Sequence, residues 1–411
     1  MSQKKQRSPI VIAFFTIFLD LLGFGIVIPV NSFYVQSLGA SPTVIALLSA
    51  SYSLMQFLFA PFWGRLSDRI GRRPVILISV AASCAGHMIF GLSSTLAAVF
   101  AARILAGFGN ANLGTAQAII SDVTTPENRA KGMGLIGAAF GLGFLLGPAI
   151  GGFAGQISPQ APAITAGCLA AVNFFLAYFF LPETRVEGAP SHHHRRTFSL
   201  KTLQSAMQLP NVGTILKISF INTGAFAMFE VIVGLLMERS FLPIEGQNTP
   251  EHIAAAARLT AWFLVAVGIT AVIVQGGLIG RLTKRFGERR LFQSGLVLTG
   301  LSIGLIPLAA HLRIYNLMLI IAVILAMGTG VFNPAQSSLI SRSAPQDQQG
   351  GILGLNQSMG ALGRVAGPAA AGVLFEVNQG LPFFTASICV FIAFLMSLRL
   401  TPPQVQQTAS I

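Results

Sequence analysis

Twelve stretches of this chain are each long and apolar enough to cross a lipid bilayer, and nothing else about the sequence restricts its fold so tightly. A helix rising 1.5 Å per residue needs about 20 apolar residues to cross roughly 30 Å of hydrocarbon. Runs of that size fall near 10–30, 43–63, 75–92, 97–121, 132–155, 163–181, 214–236, 259–279, 291–310, 317–340, 350–375 and 382–399. Only 9% of the 411 residues are charged, against about 25% in a soluble domain, and the mean hydropathy is +0.71. The expected class is an all-α integral membrane protein with twelve transmembrane helices. The apolar start behind Lys4, Lys5 and Arg7 is too long for a signal peptide and reads as the first span.

The spans divide six and six. The segment Gly64-Arg65-Leu66-Ser67-Asp68-Arg69-Ile70-Gly71-Arg72-Arg73 reads as a charged turn that must sit at a membrane surface, since each charge costs several kcal/mol at the bilayer centre. It returns 216 positions later as Gly280-Arg281-Leu282-Thr283-Lys284-Arg285-Phe286-Gly287-Glu288-Arg289-Arg290, with Lys284 at the place of Asp68. Between the copies, a Pro-, Ser- and His-containing basic stretch reads as a linker. The predicted units are therefore 1–185, a cytoplasmic linker over 186–213, and 214–411. With the N-terminus inside, 21 of the 26 Lys and Arg residues fall on cytoplasmic segments, which places both termini in the cytoplasm.

A second repeat lies in spans five and eleven. Gly134, Gly143, Gly147-Pro148 and Gly151-Gly152 are echoed 220 positions later by Gly354, Gly363, Gly367-Pro368 and Ala371-Gly372. Gly143, Gly147 and Gly151 share one helix face, a smooth stripe on which another backbone can pack closely. GxxxG alone is common in membrane helices, but the extended pattern is far more specific.

Several functions are excluded or unsupported. The net charge of +13 sits in loops without basic-aromatic interleaving, so nucleic acid is not an expected partner. Gly141-Leu142-Gly143 lies inside a span and is no dinucleotide fingerprint, and the sequence has no GxxxxGK[ST], HExxH or GxSxG. Cys84, Cys168 and Cys389 each sit in an apolar run and read as packing residues. His192-His193-His194 reads as a solvated tract, so no metal site and no bound cofactor are expected, and the chain is not expected to be an enzyme.

Ionisable residues inside spans are functional candidates by default, and the chain has few: Asp20, His87, Arg103, Glu230 and Arg364. Asp20 lies about 15 Å from either end of its span, too deep to reach water except through a cavity. It is proposed as the coupling carboxylate with Arg103 as its partner, the proton being the coupling ion. Glu230 could instead carry the proton or bond a neighbouring helix statically, and Arg103 could merely snorkel outward. Arg364 could pair with an acid or meet an anionic substrate, and His87 reads as a packed polar residue.

The turn at 64–73, the glycine pattern, Leu19-Asp20-Leu21-Leu22-Gly23-Phe24-Gly25-Ile26-Val27-Ile28-Pro29 and Arg103-Ile104-Leu105-Ala106-Gly107-Phe108-Gly109 together resemble the major facilitator superfamily. Tyr52-Ser53-Leu54-Met55-Gln56 with Ala60-Pro61 is similar to the tetracycline exporters of its twelve-span drug:proton antiporter branch. The resemblance spans nearly the whole chain. It implies the major facilitator fold, two pseudo-symmetric six-helix bundles rocking about a central cavity, and the same coupling roles for Asp20 and Arg103.

It further implies a cytoplasmic gate at Gly64, Asp68, Arg69, Gly71, Arg72, Arg73 and Asp122, with Asp68, Arg69 and Asp122 as the latch; positive-inside anchoring alone would account for Arg72 and Arg73. Cavity walls are expected from Tyr52, Gln56, Asn222, Phe226, Asn333, Gln336, Asn356, Gln357 and Arg364. The acids that tetracycline exporters carry in spans three and nine are replaced near Gly86 and Thr299, a departure that bears on chelate recognition.

The expected function is proton-coupled export of a small amphipathic compound by a monomer in a bacterial inner membrane, with protons and lipids as further partners. A metabolite or lipid carrier, and a transporter-like receptor or scaffold, are the alternatives.

Overall fold

The computed structural model describes residues 3–124, 139, 142–143, 146–185, 200–243, 249–345 and 349–401. Gly134 and His192–His194 lie outside them, as do most of the fifth predicted span and of the linker. All regular structure among the described residues is helical. The elements are α1 (Gln3–Ser37), α2 (Pro42–Ile70), α3 (Arg72–Leu92), α4 (Leu96–Gly109), α5 (Leu113–Val123), α6 (Ala161–Phe180), α7 (Leu200–Gln208), α8 (Val212–Phe241), α9 (Pro250–Val272), α10 (Ile279–Phe286), α11 (Glu288–His311), α12 (Tyr315–Ser343), α13 (Gln349–Val377) and α14 (Leu381–Ser397). A 3-10 turn at Asn110–Asn112 joins α4 to α5, and a π-helical turn at Ile273–Leu278 joins α9 to α10, each pair making one span.

Among the described residues nine helical segments have the length and hydropathy of a membrane span, and α14 is a shorter apolar helix. Phe175, Phe179, Ile320, Ile388 and Leu395 lie exposed on the outer helix faces, where a bilayer would solvate them. Polar side chains set where spans begin: Ser41, Thr95 and Thr249 each accept a bond from a backbone N–H three residues on, and proline follows Ser41 and Thr249.

The charged turn is shorter than the sequence suggests. α2 stays helical through Ile70 and α10 through Phe286, so each turn is one glycine, Gly71 at φ 104° and Gly287 at φ 75°. Arginines repel only hydrocarbon; a helix running past the membrane surface accommodates them on its last turn, where they also suit its dipole. The linker holds a short amphipathic helix, α7, against α8.

The glycine stripe does what its spacing suggests. Gly143 backs onto Leu21, and Gly147 onto Gly25 of α1, so closely that a Cβ would overlap backbone. In the second half Gly363 and Gly367 repeat the packing against Phe220 and Gly224 of α8. Gly151 continues the stripe against Ile26 of α1, while Gly152 and Gly372 face the opposite half, against Ala261 of α9 and against Pro42 and Thr43 of α2.

The halves close against each other at the end away from the arginine turns. There Ser32 Oγ donates to Val231 O at 3.3 Å, Gln36 Nε2 to Glu238 Oε1 at 3.2 Å, and Thr43 N to Glu376 Oε1 at 3.1 Å. Phe33 of α1 packs with Ile253, Ala256 and Ala257 of α9. At the arginine-turn end, Gly64 on α2 and Gly351 and Gly354 on α13 face open space: a Cβ on any of them would meet no atom within 4 Å.

Candidate functional site: buried charges and the arginine turn

Asp20 sits on α1 at the centre of an amide cradle. Asn112 Nδ2, from the 3-10 turn, donates to its Oδ2 at 3.0 Å, and Asn173 Nδ2, from α6, donates to its Oδ1 at 3.0 Å. Asn112 also bonds Ser79 of α3, and Asn173 also donates to Thr16 O, so three helices fix the carboxylate. Two donors aimed at separate oxygens suit a carboxylate, which accepts only.

Arg103 does not complete this cradle. Its guanidinium lies 4.3 Å from the Tyr52 ring centroid and 5.9 Å from that of Phe90. It is 1% exposed, and its Nε and Nη1 find no acceptor. The pairing of Asp20 with Arg103 is therefore replaced by amides on one side and an aromatic face on the other; snorkelling is excluded by the burial. Tyr52 is the hub: it stacks on Phe24, accepts from Asn110 Nδ2 at 2.8 Å and Gln56 Nε2 at 3.4 Å, and lies in the fields of Asp20, Arg103 and Arg364.

Glu230 lies on α8 at the seam between the halves. With Phe226, Phe229, Leu264 and, from the first half, Pro148, it lines a cavity of about 30 Å³. Arg364 acts on it electrostatically, yet none of the four ion pairs found among the described residues joins the two. Of the expected cavity residues, Gln336 and Asn356 bond each other at 3.1 Å, Asn222 is buried with a free carbonyl, and Asn333 and Gln357 are exposed. His87 is 2% exposed with Nδ1 unpaired. Among the described residues no group of His, Cys, Asp or Glu could hold a metal ion.

At the arginine turn the hub is Arg72, the first residue of α3. Its Nε bonds Asp122 at 3.1 Å, and its Nη1 bonds Asp68 at 2.5 Å and Ser67 at 2.7 Å. Arg69, expected in that place, is exposed and contributes its backbone carbonyl to Arg185. The break at Gly71 explains the exchange, because it swings Arg72 back over the last turn of α2 and points Arg69 outward. Arg73 donates to Tyr178 O at 2.7 Å.

Gly71 offers α3 no side-chain cap, and Glu183 supplies one from beyond α6. It accepts from the N–H groups of Arg72, Arg73, Thr184 and Arg185 at 2.9 to 3.1 Å. Burial pushes the Glu183 carboxyl up, but these four donors outweigh it and hold the group below the usual carboxylate range.

The major facilitator superfamily model matches this chain twice, over residues 13–246 and 218–410. The chain belongs to the Major Facilitator Superfamily. Among its relatives, the class G tetracycline resistance protein of Vibrio anguillarum is 32% identical, over 91% of this chain and 92% of the relative. Multidrug resistance protein 2 of Bacillus subtilis is 27% identical, over 97% and 96%. In fold, a bacterial homologue of the human lysosomal transporter Spinster, solved in an inward-facing, occupied conformation, superposes with a TM-score of 0.73 at 13% identity, covering 97% of both chains.

Within this superfamily frame, sequence reasoning missed Asn112, Asn173, Asn110 and Glu183. Asn173 was visible as a lone amide in the apolar run Ala170-Ala171-Val172-Asn173-Phe174-Phe175. Glu183 carried no such signal, since an acid just past a span looks like any loop residue.

Proposed function

We propose that this superfamily member is a proton-driven exporter of a small amphipathic compound. It works by alternating access, as a monomer, in a bacterial-type inner membrane with both termini in the cytoplasm. The observation that carries the reading is one half-buried carboxylate inside a span of each half, Asp20 and Glu230, neither with a cation at ion-pair distance among the described residues. Such groups are costly in lipid unless they trade a proton for function. The positive-inside distribution supports a cytoplasmic arginine-turn end; on that reading the bonds that join the halves lie at the outer end, as in an inward-opening conformation. In that state Asp20 meets only donors, which suits a carboxylate that has released its proton inside and awaits cargo.

Relatives named for tetracycline and multidrug resistance support a drug-like cargo. Near the place where tetracycline exporters carry an acid in span three, a side chain on Gly86 would run into Ala106 of α4. Without an acid in that place, a lipophilic compound is favoured as cargo over a magnesium chelate.

The test is flux in proteoliposomes under an imposed pH gradient, with tetracycline and ethidium as probes. Wild type moves at least one probe against its gradient; Asp20→Asn and Glu230→Gln fall to the level of empty vesicles. Unchanged flux in both variants overturns the reading.

A further inference from the structure

The outer closure contains a buried acid that neither the coupling site nor the cytoplasmic turn uses. Glu238, near the end of α8, is 2% exposed, and His252, at the start of α9, is 8% exposed. His252 Nε2 lies 3.3 Å from Glu238 Oε1, within ion-pair range but off the line of a hydrogen bond. Gln36 reaches across from α1 and donates to that same oxygen, one of the bonds that join the halves.

Three polar atoms in this cluster are buried without partners among the described residues: Glu238 Oε2, Gln36 Oε1 and His252 Nε2. A small turn of the His252 ring would bring a hydrogen on Nε2 onto Glu238 Oε1 and satisfy the histidine. The two oxygens left over are both acceptors, and an amide facing a carboxylate has no donor to give them. A proton added to Glu238 Oε2 turns that oxygen into a donor. A buried acceptor without a donor is costly, so the closed arrangement is short of one hydrogen.

We propose that Gln36, Glu238 and His252 form a proton-binding site of the outer closure, which takes up a proton as the halves close there and gives it up as they part. The proposal rests on the alternating-access reading above and adds a second place where protons enter the cycle. By linkage, external acid then favours the outward-closed state, the direction in which an emptied antiporter must return.

The neighbours leave the assignment to this cluster. Arg239, the other charge acting on Glu238, lies 5.0 Å from the Phe375 ring. From α1 comes Tyr34, whose hydroxyl donates to Ser93 O, and from α12 Tyr315, which donates to Leu259 O. Glu376 of α13, accepting from Thr43, is exposed, and its bonds with Ser41 and Thr43 hold the carboxyl below the usual carboxylate range.

The test measures the distance across the outer end by spin labels at Ser94→Cys and Gln379→Cys, both on exposed positions of opposite halves. The full chain is placed in lipid nanodiscs with Cys84, Cys168 and Cys389 changed to Ser. Asp20→Asn and Glu230→Gln are included to silence the coupling site. Between about pH 8 and pH 6 the closed-to-open ratio should rise by more than about tenfold, toward the roughly hundredfold limit of one proton linked over that whole range. Glu238→Gln brings its own donor, so the outer end should stay closed at both pH values. Glu238→Ala should leave it open at both. Opposite effects of two substitutions at one position cannot come from misfolding. A pH response retained in Glu238→Gln, or an outer end that Glu238→Gln opens, overturns the site while leaving alternating access intact. Distances that never change in any variant overturn both.

Discussion

The two arginine turns are related by the internal repeat, yet their charges are reversed. In the first, the turn supplies the cation, Arg72, and the end of α5 supplies the anion, Asp122. In the second, Glu288 stands 216 positions after Arg72 and Arg342 stands 220 after Asp122, and they pair at 2.8 Å. The geometry of a turn bonded to the end of the fourth span in each half is kept while the sign is exchanged. The surroundings also differ: Arg72 has two acids and an external cap from Glu183, whereas Glu288 has one cation, 56% exposed, and Ser338. A duplicated architecture specifies where charges meet; it does not specify which partner carries which sign. Among the described residues the first turn is a dense knot, and the second is a single pair at the surface.

The comparison breaks most visibly at Arg72. Arg72→Glu sets a new acid among Asp68, Asp122 and Glu183, and transport should drop at least about tenfold, since an uncompensated, partly buried charge costs a few kcal/mol. Adding Asp122→Arg copies the sign order of the second turn and should recover much of the loss; flux from a preloaded vesicle measures both.

The two glycines should separate next. Gly71→Ala meets both a positive φ and the Glu183 carboxylate, whereas Gly287→Ala meets only the positive φ, with open space around it. The backbone term alone is about 1–2 kcal/mol, so Gly71→Ala should lower the unfolding temperature in detergent clearly more than Gly287→Ala.

Glu183→Gln should cost about 1 kcal/mol of stability, the usual worth of a helix cap, discounted because the side chain is exposed. Its carboxyl is held low in the folded state, so its contribution is present above the unfolded carboxylate range and disappears as pH falls through the folded value. Wild type should therefore lose stability on acidification in that range, and Glu183→Gln should lose less. The smallest effect belongs to the second turn. Arg342→Ala removes a largely exposed pair worth about 0–1 kcal/mol, and should change flux less than threefold. A loss equal to that of Arg72→Glu would remove the contrast between the turns.

The spans, the duplication and the glycine helix were legible because each rests on a long-range rule of hydrocarbon or of close backbone packing. That Gly147 and Gly367 meet a close backbone follows from spacing; that the backbones are those of Gly25 and Gly224 does not. The depth of Asp20 was legible for the same reason. Its partners were not: Asn112 and Asn173 come from different helices, and no local pattern says which neutral amides will converge on an acid. Arg69 and Arg72 differ by one glycine's backbone angle, which charge counting does not register. Glu238 and His252 escaped because they sit where α8 and α9 extend beyond the expected ends of their apolar runs.

The central claim is that buried carboxylates exchange protons for cargo. The direct measurement is proton release from purified, weakly buffered protein on addition of a transported probe. Wild type should release protons in proportion to probe bound, with the release lost in Asp20→Asn combined with Glu230→Gln while the fold is retained. Equal release from the double variant, or binding with no release from wild type, would contradict it.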